Sequence, residues 1–172
     1  MFLIKKARAR ETDALVIAPS SKHDMEADAS ASTTPHGAIP AIRATTIPLA
    51  VKAMEHSCCK CSGYRVGVCL ITADGKTFSG CNVESDSYGL SVCGERVALF
   101  KALSEGATDF VHLACATRDA GTSCGACRQL LAEYCDPSMP VDFVTEDGEI
   151  KVATSVAEML PLPFVLQGKK AP

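Results

Sequence analysis

From about residue 45 onward the chain alternates between two rhythms of apolar and polar positions, one of helical and one of strand period. In "TIPLAVKAMEHS", Ile47, Val51 and Met54 fall on one face, and Pro48 suits a first helical position, so a helix is expected to begin there. "YRVGVCLIT" and "KTFSGCNV" read as strands flanking Ala73-Asp74-Gly75, an Asp-Gly hairpin signal. A helix over 93–105 follows, stopped at Gly106, where a left-handed cap is natural. "FVHLACAT" reads as a strand, and the polar loop Arg118 to Thr122 leads into a helix carrying "SCGACRQLL". "VDFVTEDGEIKVA" reads as strand, turn and strand, and Ser155-x-x-Glu158 is a capping box opening a short last helix that "PLP" ends. Strands separated by helices need crossovers, which predicts a layered α/β domain around a mixed sheet of about five strands.

Residues 1–44 lack such periodicity. "EADASASTTPHGAIP" is small, polar and interrupted by proline, so a flexible extension is expected ahead of a single domain over 45–172. Lys5, Lys6, Arg8 and Arg10 resemble the start of an organellar presequence, but Glu11 and Asp13 follow at once and argue against it.

The 172 residues are 47% hydrophobic, enough for one real core, but aromatics are only 5%, so packing must rest on Val, Leu, Ala and Ile. The net charge of −3 comes from 17 basic and 20 acidic residues with no long basic patch, which argues against a nucleic-acid partner. No apolar run reaches membrane-spanning length. Ten cysteines would suit a disulfide framework in a secreted chain. The opening residues lack a secretory apolar stretch, so a reducing, cytoplasmic setting is expected, with a few cysteines as metal ligands and Cys69, Cys81 and Cys115 as small residues in strands.

Catalytic zinc takes three protein ligands and leaves a fourth position for water, and Cys93, Cys124 and Cys127 supply three at two helix starts. There the positive ends of the helix dipoles favour thiolates. Glu95, two residues after Cys93, fits the proton carrier for an activated water better than a solvent-facing first-turn glutamate. Zinc with three thiolates has a formal charge of −1, and Arg96 and Arg128, each following a key residue, are the cations expected to offset it around the sulfurs.

With these motifs assembled, the chain resembles the small, three-cysteine zinc type of cytidine deaminase. The resemblance runs over roughly residues 46–166 and rests on "SGYRVGVCLITADGKTFSGCNVESDSYGL", "VCGERVALFKALSEG" and "SCGACRQLL" in order and spacing. It implies a three-layer α-β-α fold, one Zn2+ per chain, and hydrolysis of cytidine and 2′-deoxycytidine in pyrimidine salvage, with Glu95 moving the protons. It also implies that Asn82 and Glu84 hold sugar hydroxyls, that Tyr64 stands where a stacking Phe is usual, and that Phe164 closes over the base. Tyr88 would reach the substrate of a neighbouring subunit in a homotetramer. Backbone near Cys93 and Cys124, including Gly94, would steady the base.

The departures are Ser123 for the usual proline, Gly94 for the usual alanine, and the Cys-rich "HSCCKCSGY" for an aromatic, proline-bearing stretch. The last makes a modified cytosine nucleoside, as in blasticidin deamination, the rival substrate, although Glu84 and Arg96 favour cytidine. Cys58 and Cys61 also permit a different class, a closed four-cysteine structural zinc with Cys124 and Cys127. Linked zinc knuckles, however, are usually about 15–20 residues apart, far closer than these pairs. A thiol–disulfide oxidoreductase on Cys124 and Cys127 is the third reading, but its motif would follow the first strand of the fold.

Overall fold

The computed structural model describes residues 38–166. Helix α1 spans Ile39–Ala53, β1 Val66–Thr72, β2 Thr77–Cys81, α2 Gly94–Ser104, β3 Phe110–Thr117, α3 Gly125–Tyr134, β4 Pro140–Val144, β5 Ile150–Ser155 and α4 Val156–Met159. Short 3-10 turns at Met54–His56 and Tyr88–Leu90 complete the order. The five strands form one sheet in the order β2-β1-β3-β4-β5. Only β3 and β4 pair in parallel, with α3 as their crossover; the other three pairings are antiparallel, so the sheet is mixed.

The period-2 rhythm explains the layers. Val68, Leu70, Leu113, Cys115, Val141 and Phe143 face Ala98, Leu99 and Ala102 of α2, Leu131 of α3, and Val156 and Met159 of α4 in the larger core. Cys69, Ala114, Ala116 and Val144 point the opposite way, to Ala50 and Met54 of α1. The α1 face is lined by small residues, and Gly67 shows why: a Cβ there would lie 2.1 Å from the carbonyl oxygen of Ala50. The helix can lie this close only because β1 carries no side chain at that point.

The expected hairpin and caps are present. Gly75 and Gly106 have φ of 85° and 75°, and Ser155 and Glu158 make both halves of the capping box. The helix start is a correction. Regular structure begins at Ile39, with Pro40 in the first turn and Pro48 inside α1, so residues 39–44 of the expected extension are helical. Residues 1–37 of that extension, with the basic cluster at its start, lie outside the described residues. The physical reason for the missed turns is that α1 is anchored by polar groups. Arg43 forms a two-pronged ion pair with Asp142 on β4, Nε to Oδ2 at 2.7 Å and Nη2 to Oδ1 at 2.8 Å. His112 Nε2 lies 2.9 Å from the same carboxylate, and His112 Nδ1 lies 3.0 Å from Thr46 Oγ1. Apolar periodicity carries no trace of such contacts.

Candidate active site

The site sits where two helices start at the same end of the sheet. Cys93 and Cys124 are the N-cap residues of α2 and α3, both with extended backbone. Cys127 is three residues into α3, so its side chain lies over the N-cap. This brings Cys124 Sγ to 3.8 Å from Cys93 Sγ and 3.5 Å from Cys127 Sγ, with all three sulfurs within 4.8 Å of one another. Tetrahedral zinc with bonds of about 2.3 Å sets ligand sulfurs about 3.8 Å apart, so the trio fits the ion. Among the described residues it is the one cluster of this kind. Cys58 and Cys61 are not in it; their thiols face the carbonyls of His56 and Ser85. A closed four-cysteine site is thereby set aside.

Arg96 places Nη2 3.6 Å from Cys93 Sγ and 3.2 Å from the carbonyl of Ser91. The Cys93 thiol is drawn down to about 5, first by hydrogen bonding from Cys127 and then by the Arg96 guanidinium, against the opposing effect of burial. The partner Cys127 is pushed upward by the same coupling. Arg128 corrects the expectation of a second cation on the sulfurs. It donates instead to the carbonyl of Ser123 at 2.7 Å, the carbonyl of Met159 at 3.1 Å and Thr122 Oγ1 at 3.1 Å. One residue beyond Cys127, it is turned about 100° around the helix and pins the preceding loop and α4.

Glu95 lies in the first turn of α2 and is 4% exposed. Burial raises its carboxyl above the ordinary carboxylate value, with the Ser123 hydroxyl nearby pulling the other way. The Ser123 hydroxyl is itself buried without a hydrogen-bond partner. Gly94 packs close to Val68 and Val66, where an added Cβ would lie 3.1 and 3.3 Å from their methyl groups.

Cys93, Cys124 and Glu95 open onto a cleft of about 520 Å3, whose lining also includes Tyr64, Asn82, Glu84 and Tyr88. That volume suits a small organic molecule. Asn82 is buried, and Tyr88 is 79% exposed on its 3-10 turn. Phe164 does not line the cleft of its own chain. It is 69% exposed, and its backbone is held by Gln129, its N–H donating to Oε1 at 2.9 Å and its carbonyl accepting from Nε2 at 2.8 Å.

Tyr64 forms part of a latch that the sequence did not suggest. Its hydroxyl donates to Asp119, which also accepts from Thr117 Oγ1 at 3.3 Å, while the N–H of Gly121 donates to that threonine oxygen at 2.7 Å. Arg118 lies 5.0 Å from the Tyr64 ring centroid, a cation–π distance. A Cβ on Gly121 would come 2.4 Å from the Tyr64 hydroxyl oxygen. Gly121→Ala is therefore expected to displace the ring and lower stability by about 1 kcal/mol. Adding Tyr64→Phe, which removes the clashing oxygen, should cancel most of that loss in thermal melts. A double variant as unstable as the sum of the two single variants would contradict the latch.

The sequence model described as the cytidine and deoxycytidylate deaminase zinc-binding region matches residues 29–142. A cytidine deaminase of Sporosarcina psychrophila is 42% identical over 115 residues, covering 66% of this chain and 84% of that protein. One from Halalkalibacterium halodurans is 40% identical over 127 residues, covering 73% and 96%. The crystal structure of cytidine deaminase from Burkholderia pseudomallei superposes with a TM-score of 0.65 at 40% identity, covering 69% of this chain and 95% of that one.

Proposed function

We propose, because this chain belongs to the cytidine and deoxycytidylate deaminase zinc-binding family, that it hydrolyses cytidine and 2′-deoxycytidine to uridine and 2′-deoxyuridine with release of ammonia. The observation that carries this reading is a cluster of three metal-competent sulfurs, two of them lining one cleft together with a buried carboxyl. Cys93, Cys124 and Cys127 are the residues that would hold the zinc. When bound there, zinc supplies the Lewis acidity that lets a water ionise near neutral pH.

The chain's own groups do the rest. Glu95 takes a proton from the attacking water and delivers it to ring nitrogen 3, then passes the second water proton to the departing amino group. The carbon–nitrogen bond at carbon 4 breaks, a carbonyl forms, and ammonia leaves. Arg96, against Cys93, offsets the negative charge of three thiolates. Tyr64 stacks on the base, and Asn82 and Glu84 receive the sugar.

Tyr88, exposed at the rim of its own cleft, and Phe164, exposed away from it, fit residues that also reach the sites of neighbouring copies, which supports a homotetramer with shared sites. Among the described residues no helix is long and apolar enough to cross a membrane. Reduced thiols at the metal favour the cytoplasm, and the substrates favour a place in pyrimidine salvage.

The test is a spectrophotometric assay of the purified protein on both nucleosides, with zinc measured on the same samples. Conversion of both with about one zinc per chain is expected, with zinc and activity lost together on chelation. Bound zinc with neither nucleoside converted would overturn the reading.

A further inference from the structure

Glu84 is not free in the cleft. Its carboxylate is clasped by the Cys-rich turn ahead of β1. Glu84 Oε2 accepts from the backbone N–H of Cys61 at 2.7 Å and of Ser62 at 3.0 Å, and Oε1 accepts from the Ser62 hydroxyl. That hydroxyl in turn accepts from the N–H of Tyr64 at 2.9 Å, tying the carboxylate to the segment bearing the aromatic wall.

A carboxylate offers about four lone-pair sites. Both sites on Oε2 are taken by backbone and one on Oε1 by Ser62, which leaves one, on the oxygen that Ser62 touches. Asn82 is as nearly saturated, with one Nδ2 hydrogen left to donate. Its Oδ1 accepts from Ser57 Oγ and from the N–H of Val66 at 2.9 Å, and its Nδ2 donates to the carbonyl of Tyr64 at 2.8 Å. Ser62, through its hydroxyl and then its N–H, also helps hold the Glu84 carboxyl below the ordinary range, as an ion ready to accept.

We propose that Ser62 is the positioning residue for sugar recognition: its hydroxyl orients Glu84 so that one remaining acceptor meets the 3′-hydroxyl of the nucleoside. That is the ring hydroxyl ribose and 2′-deoxyribose share, so the clasp serves both sugars alike. The inference rests on the deaminase reading given above.

The test is steady-state kinetics of the zinc-loaded enzyme on cytidine and 3′-deoxycytidine, for the parent, Ser62→Ala and Ser62→Thr. A hydrogen bond to a charged group is strong enough that Ser62→Ala should raise KM for cytidine about ten-fold. The change should fall on KM rather than kcat, be absent with 3′-deoxycytidine, and be reversed by Ser62→Thr, which keeps a hydroxyl. In a Glu84→Gln background, Ser62→Ala should no longer alter the ratio between the two substrates. An equal penalty on both substrates, no penalty on either, or an undiminished effect without the Glu84 carboxylate would overturn the proposal. A parent enzyme inactive on cytidine would instead overturn the deaminase reading, and this inference with it.

Discussion

Glu95→Gln is expected to lower kcat on cytidine by about three to four orders of magnitude, the upper range for losing a proton carrier. The amide keeps the shape of the side chain and can still hydrogen-bond, but it cannot take a proton and return it. Zinc content should be retained, because the cluster is made by Cys93, Cys124 and Cys127 alone. Thermal stability should be unchanged or slightly higher, since Glu95 is buried and burial penalises its charged form. This separates a chemical effect from a folding effect. Single-turnover measurement on the zinc-loaded variant checks it. If roughly a tenth of the parent rate survived, another group would have to move the protons.

Asp142→Asn should produce the largest loss of stability. The Asp142 and His112 side chains are both completely buried, while the Arg43 side chain is 33% exposed. Removing the carboxylate charge leaves a guanidinium and a buried imidazole facing a neutral amide that cannot serve both. Breaking a buried pair costs about 3–5 kcal/mol, and the partial exposure of Arg43 puts this case near the lower end. The corresponding fall in melting temperature is roughly 10 °C.

The pH dependence of that stability has a definite sign. Burial alone would raise the Asp142 carboxyl, but hydrogen bonds from His112 and then Arg43 outweigh it and hold the value below the ordinary one. A group depressed in the folded state contributes its full stabilisation above the unfolded value of about 3.9 and loses it as pH falls through the folded value. Parent and Asp142→Asn melting temperatures should therefore be well separated at neutral pH and converge below about pH 4. A separation that persists undiminished into strong acid would show that the carboxylate charge is not what holds α1 to the sheet.

Much of the site was legible in the sequence because its signals are local. Cys93 and Glu95 both fall at the start of α2, and Cys124 and Cys127, three apart, at the start of α3. The strands were equally readable: one face of β1, β3 and β4 meets α2 and α3, and alternation over a few residues reports it. What the tertiary structure alone decided joins residues far apart in the chain. Glu84 meets Ser62 22 positions away, Tyr64 meets Asp119 across 55, and Arg43 meets Asp142 across 99.

The polar residues Asp142, in "PVDFV", and His112, in "FVHLACAT", interrupt otherwise apolar strands and were the available hint of a buried polar pair. Their partners on α1 carried none, because an ion pair leaves no periodicity in a helix. Arg128 shows the same limit from the other side. Its place beside Cys127 suggested a role at the sulfurs, yet the helical turn directs it to Ser123, Thr122 and Met159. Local spacing thus pointed to the cysteine cluster and to Glu95 beside it, through the geometry of single turns. Which groups clasp, orient and anchor them was decided only when distant segments met, because directional hydrogen bonds depend on where the whole chain closes.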